Sequence, residues 1–172
     1  MQRLSAKLLT VFVAATLAGA CLNFFYDFVP NPAVALIAPV NESIWEHLKI
    51  IYWPFLAGAL VLCRRNGRDC LGPWLLALLA VCAAMLAAGY LYHVAAGGGS
   101  LAFDIGLYVL LMGAGFLLPA AFDRPAVRQR TDLLLLLTAA LGGAMVLFTF
   151  LPPDHVLFAD LSGVNTWQVI PY

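Results

Sequence analysis

The sequence predicts an all-α polytopic membrane helix bundle: five transmembrane helices in a single domain over residues 1–172, N-terminus inside and C-terminus outside. Three observations carry this. Of 172 residues, 63% are hydrophobic and 10% charged, where a soluble domain carries about 25% charged residues. The apolar residues are gathered into runs of span length. Lys and Arg recur in every second connecting segment, as the positive-inside rule demands.

The first span covers residues 8–25. Arg3 and Lys7 precede it, and Ala18-Gly19-Ala20-Cys21 faintly resembles a lipoprotein cleavage site. Ala18 stands where a leucine is normally expected, and the apolar run continues through Leu22, Phe24, Phe25 and Tyr26. The expectation is an uncleaved first helix. A loop with Asp27, Pro30, Asn31, Pro32 and Pro39 follows, its middle apolar enough to dip into the interface.

The second span covers residues 44–63 with Pro54 inside it, which removes a backbone hydrogen bond and predicts a kink near Ile50. After Arg64, Arg65, Arg68 and Asp69, Pro73 suits the first turn of a third span over residues 74–94, lined by alanines that suit close packing in lipid. An uncharged glycine-rich linker, expected to be flexible, leads to the fourth span, residues 101–121, with Asp104 in its first turn. Arg124, Arg128 and Arg130 precede the fifth span, residues 132–151, which carries five consecutive leucines and a packing notch at Gly142-Gly143. A tail, residues 152–172, holds Asp154, His155, Asp160, Trp167 and Tyr172 on the outer side.

The N-terminus, the second-to-third loop and the fourth-to-fifth loop hold eight of the nine Lys and Arg residues. Five spans put these three segments on one side, which sets the orientation and places the chain in the cytoplasmic (inner or plasma) membrane. A net charge of +0 excludes a general nucleic-acid binder. The cysteines, Cys21, Cys63, Cys70 and Cys82, form no CxxC pair and read as small apolar residues rather than a disulfide framework or a zinc site.

This topology gathers polar residues at the outer end. Asn41 to Lys49 supplies Glu42, Ser43, Glu46, His47 and Lys49, and His93, Asp104, Asp154, His155 and Asp160 fall at the same level. Each has a local explanation as well. Ser43 and Glu46 fit a capping box, with Asn41 a competing cap. Glu42 and Asp104 suit helix N-termini. Glu46 and Lys49 can pair three residues apart. Trp45, Trp53, Tyr90, Tyr92 and Trp167 suit an interfacial belt. The gathering is harder to explain locally, because Glu46 and His47 lie about 100° apart on a helix and cannot both avoid lipid by facing one way. Catalytic candidates are Glu42, Glu46, His47 and Lys49. His47, His93, Asp104, His155 and Asp160 are candidate ligands for a divalent metal such as zinc, although no metal motif is present.

The nonamer Asn41-Glu42-Ser43-Ile44-Trp45-Glu46-His47-Leu48-Lys49, with Pro39-Val40 before it, resembles the signature of a family of small bacterial multi-pass membrane proteins of unknown function. The tail from Pro153 to Asp160 is similar to that family's C-terminal segment. Asn23 departs from the histidine the resemblance leads one to expect there. The resemblance implies a polytopic membrane protein and no activity.

The expected function is a membrane enzyme, metal-assisted in one version, that hydrolyses or transfers a group on a lipid or lipid-linked substrate at headgroup depth. Two alternatives stand beside it: a structural or assembly protein, and a small transporter or proton-coupled carrier. The inner halves of spans three to five offer little polarity for a transport path unless an oligomer supplies it.

Overall fold

The computed structural model describes residues 6–161, and all regular structure among them is helical. The elements are α1 (Ala6–Phe28), α2 (Pro32–Ala35), α3 (Leu48–Cys63), a 3₁₀ turn (Arg68–Cys70), α4 (Leu71–Gly89), a π turn (Tyr90–Ala95), α5 (Leu101–Phe122), α6 (Pro125–Arg128), α7 (Thr131–Phe150) and a second 3₁₀ turn (Val156–Phe158). Arg3, Trp167 and Tyr172 lie outside the described residues.

Four helical stretches are long and apolar enough to cross a membrane: Ala6–Phe28, Arg68–Ala95, Leu101–Phe122 and Thr131–Phe150. The expected second span is shorter than its apolar run suggests. α3 has 16 residues, about 24 Å at 1.5 Å per residue, against a hydrocarbon core of about 30 Å. Residues 44–47 form a turn, because the groups that would have extended the helix bond locally. Ser43 Oγ accepts from the Glu46 N–H at 3.2 Å, and the His47 ring bonds the Ser43 carbonyl at 2.8 Å.

α3 is the central helix, with Leu48, Ile51, Tyr52, Phe55 and Ala59 buried. Leu75, Leu78, Val81 and Met85 of α4, Leu111, Met112 and Phe116 of α5, and Met145 of α7 surround it. Phe116 meets Phe12, Phe55 and Trp74 in edge-on contacts with centroids 5.0–5.5 Å apart. The outward faces of α1, α5 and α7 carry exposed leucines, Leu133, Leu136 and Leu137 among them, as lipid-facing surface would.

α3 carries Pro54 inside it. Proline leaves the Ile50 carbonyl without its helical donor. That carbonyl lies against Gly19 of α1, where a side chain would strike both it and the Tyr108 hydroxyl. Tyr108 in turn donates to the Thr16 carbonyl at 2.7 Å. Gly19 thus brings three helices together at the site of the missing bond.

The basic segments sit at one end. Lys7 reaches the Val61 carbonyl, Arg68 pairs with Asp132 at 2.9 Å, and Gly72 of α4 packs on Val127, Arg128 and Thr131. The histidines sit at the opposite end.

Candidate functional site

The site begins with a one-turn helix. Asn31 Oδ1 accepts from the Ala33 and Val34 N–H groups at 2.9 and 3.0 Å, and Pro32 follows at the first helical position. This is a complete N-cap. The exit of the turn aims carbonyls inward, and Lys49 receives them. Its ammonium donates to the carbonyls of Ala35 at 2.7 Å and Ala38 at 3.2 Å, and to Glu46 Oε2 at 2.7 Å. Three N–H bonds meet three acceptors, so a side chain that is 0% exposed keeps its charge satisfied.

Glu46, 3% exposed, is engaged as fully. Its Oε2 also accepts the Val40 N–H at 3.0 Å. Its Oε1 lies 2.8 Å from the Thr149 hydroxyl of α7, which is equally close to the Met145 carbonyl. The one hydroxyl proton serves one of the two at a time. Half of the expected capping box forms. Ser43 caps Glu46, but the Ser43 N–H goes to Asn41 Oδ1 at 3.1 Å, which frees the Glu46 carboxylate for Val40, Lys49 and Thr149. The predicted Glu46–Lys49 pair is present.

Glu46 and His47, adjacent in sequence, diverge. His47 Nδ1 faces the Ser43 carbonyl and Nε2 faces Glu42 at 3.2 Å. With Glu42 ionised, as its lowered pKa favours, both nitrogens face acceptors and an imidazolium satisfies them together. Burial pushes the His47 pKa down. The hydrogen bonds to Glu42 and Ser43, with the charges of Glu42 and Asp104, outweigh it, so the net direction is up. The His47 hydrogen bond lowers the Glu42 pKa against burial and the charges of Asp160 and Asp104.

A second pair forms where α4 widens. The π turn carries His93, whose Nδ1 faces the Gly98 carbonyl at 3.0 Å and whose Nε2 faces Asp104 at 2.8 Å. The glycine linker is tied at Ala96, Gly98 and Ser100. Tyr92 stacks on Phe103 with centroids 3.6 Å apart, its hydroxyl accepts the Ser100 N–H, and its carbonyl accepts the Gly98 N–H. Gly97 makes the return with φ of 65°, a conformation that favours glycine.

The two pairs sense each other: Asp104 acts on both Glu42 and His47, and His47 acts on His93. The tail closes over one side. The Trp45 backbone N–H donates to the Leu157 carbonyl at 3.0 Å, and the Trp45, Phe148 and Phe158 rings pack together. Asp160 comes within electrostatic reach of Glu42. His155 instead caps its own turn, accepting the Leu157 N–H.

Of the predicted ligand set, His93 and Asp104 are joined, with His47 and Asp160 nearby and His155 turned to its own backbone. Among the described residues, no group of three or more His, Cys, Asp or Glu side chains is arranged to hold a metal ion. Neither His47 nor His93 has a nitrogen lone pair turned toward a shared centre. Sequence reasoning missed Thr149 and the carbonyls of Ala35, Ala38, Ser43 and Gly98. Only Thr149 carried a signal, as a lone polar residue in the last turn of α7.

No curated protein and no solved structure matches this chain. A family model matches residues 2–165, and the chain belongs to that family, the family of unknown function DUF6512.

Proposed function

We propose that this chain is a five-span protein of the cytoplasmic membrane whose histidine-rich end, facing outward, performs acid–base chemistry on the polar end of a lipid or lipid-linked substrate. One observation carries the reading: two His–carboxylate pairs, from separate segments, lie at one end within electrostatic reach of each other. Hydrolysis or group transfer at headgroup depth needs a base and a proton donor there. Glu42 is the base, because its side chain is 50% exposed and offers an open oxygen. His47, held as an imidazolium, is the proton donor, and His93–Asp104 is the second pair. Glu46 and Lys49 are positioning residues, since both are buried with their polar atoms engaged within the chain. The arginine-rich end supports the orientation. A carrier finds no support beneath Lys49, where the described core is Ile51, Phe55, Leu78 and Met112.

A structural reading is favoured by the ring nitrogens of His47 and His93, all four of which are engaged within the chain. Lipid extracts separate the two. Cells lacking the chain are compared with cells carrying wild type, Glu42→Gln or Asp104→Asn. The acid–base reading expects a lipid or lipid-linked species that accumulates without the chain and persists with either variant. If both variants, correctly inserted, restore the wild-type lipid profile, the acid–base reading is wrong and the structural one stands.

A further inference from the structure

The end of the bundle opposite the histidines carries charge that the proposed activity does not use. There α3 and α5 finish and α4 and α7 begin, so segments 64–70 and 123–130 lie at the ends of the spans. A side chain at Gly72 would strike Thr131 and Val127, so this glycine lets the start of α4 bring the two segments together. Arg68 reaches Asp132 at 2.9 Å, and Arg128 bonds both oxygens of Asp123. Those two pairs use two of the three carboxylates at this end, and Asp69 is the third. Arg64, Arg65, Arg124 and Arg130 are exposed and pair with no carboxylate among the described residues. With Lys7 included, seven cationic side chains stand against three acids. A cavity of about 400 Å³ opens between the segments, walled by Arg68, Asp69, Arg128, Gln129, Thr131 and Asp132. The start of α7, which no side chain caps, adds its backbone N–H groups to the same wall.

We propose that this end is a docking site for an anionic phospholipid, whose phosphate lies between segments 64–70 and 123–130 and ties the two together. Four guanidiniums without a carboxylate gain nothing from one another, and a phosphate diester offers them planar, charge-assisted bonds. The carboxylates of Asp69 and Asp132 in the cavity wall accept hydroxyl protons, which suits a headgroup that carries a polyol such as glycerol. A zwitterionic headgroup brings its own cation and leaves the positive surplus uncancelled. A lipid fits better than a soluble phosphate because the apolar surface continues directly from the cavity: Leu133, Leu136 and Leu137, in the first two turns of α7, are exposed and offer a track for acyl chains. The site requires that the spans sit in a bilayer, and it works the same way in either leaflet.

The test equilibrates the full chain in detergent micelles with phosphatidylglycerol and phosphatidylcholine of matched acyl chains, recovers the protein and quantifies bound lipid by mass spectrometry. Wild type should retain phosphatidylglycerol over phosphatidylcholine, and high salt should weaken that preference. The double variants Arg64→Gln/Arg65→Gln and Arg124→Gln/Arg130→Gln should each bind phosphatidylglycerol about 25-fold more weakly, about fivefold for each arginine, with phosphatidylcholine unchanged. Excess glycerol 3-phosphate should leave the bound lipid in place. Equal retention of the two lipids by wild type, a preference indifferent to salt, or one that survives in both double variants overturns the proposal. Displacement by glycerol 3-phosphate overturns it too, since the site then takes a soluble phosphate. The wild-type contrast and its salt dependence decide the matter even where a double variant fails to fold.

Discussion

Lys49 shows how a charge is kept inside an apolar bundle. Its three acceptors leave nothing for water to do, and Glu46 is matched as closely. Removing one member of such a pair costs about 3–5 kcal/mol, because the survivor is left charged and buried. Lys49→Met should therefore lower stability by about that much in denaturant unfolding of the micelle-bound protein. Adding Glu46→Leu to it should recover part of the loss, and a double variant as unstable as the sum of the singles contradicts the pairing. His47 and Glu42 behave differently, because they titrate. The His47 pKa lies above the usual 6.5 and the Glu42 pKa below the usual 4.5. A raised histidine contributes fully below its unfolded value and loses that contribution as pH rises through its folded one. A lowered carboxylate contributes fully above its unfolded value and loses it as pH falls through its folded one. Their mutual stabilisation is thus complete between pH 4.5 and 6.5 and declines on either side. The difference in melting temperature between wild type and His47→Gln should be largest in that window and shrink toward alkaline pH. A difference that stays constant to alkaline pH contradicts it.

Among the elements, the α1–α3–α5 contact rests on Gly19, where the carbonyl freed by Pro54 and the Tyr108 hydroxyl occupy the space a side chain would need. Gly19→Val should cost about 1–3 kcal/mol through overpacking. Gly143→Ala, at a helical glycine with nothing within 4 Å, should be neutral or stabilising by up to about 1 kcal/mol. Thermal melts of the two variants check the contrast. These elements were legible in the sequence to different degrees. The long spans were clear, because twenty apolar residues have few alternatives to a helix in lipid. The start of α3 was not, because Ser43, Glu46 and His47 satisfy a helix entrance and a side-chain-bonded turn equally well on paper. Long-range partners decided it. The π turn was also hidden, since no residue type encodes it and the His93–Asp104 bond across the linker accompanies it.

For the whole molecule, charge separates by end. The arginines of two loops gather with Lys7, and the three histidines gather opposite. That arrangement followed from counting Lys and Arg along the chain. The pairing within the histidine end did not, because spacing cannot say which carboxylate a ring will meet. If the proposed orientation holds, a membrane-impermeant reagent applied outside intact cells should label a cysteine introduced at Asp154 and leave one introduced at Arg124 unlabelled until the membrane is opened. The reverse pattern would invert the topology and move the acid–base site to the inner face.

The bonds around Lys49 also bear on how the protein is made. All three of its acceptors, Ala35, Ala38 and Glu46, lie within the 14 residues before it. When Lys49 leaves the ribosome, every partner it needs has already emerged. The loop, the acid and the cation can therefore enter the bilayer as one neutral hairpin, without waiting for a later helix to cancel the charge. The Thr149 contact to Glu46, 103 residues downstream, arrives last. It acts as a latch on a unit that is electrostatically complete before the second half of the chain exists.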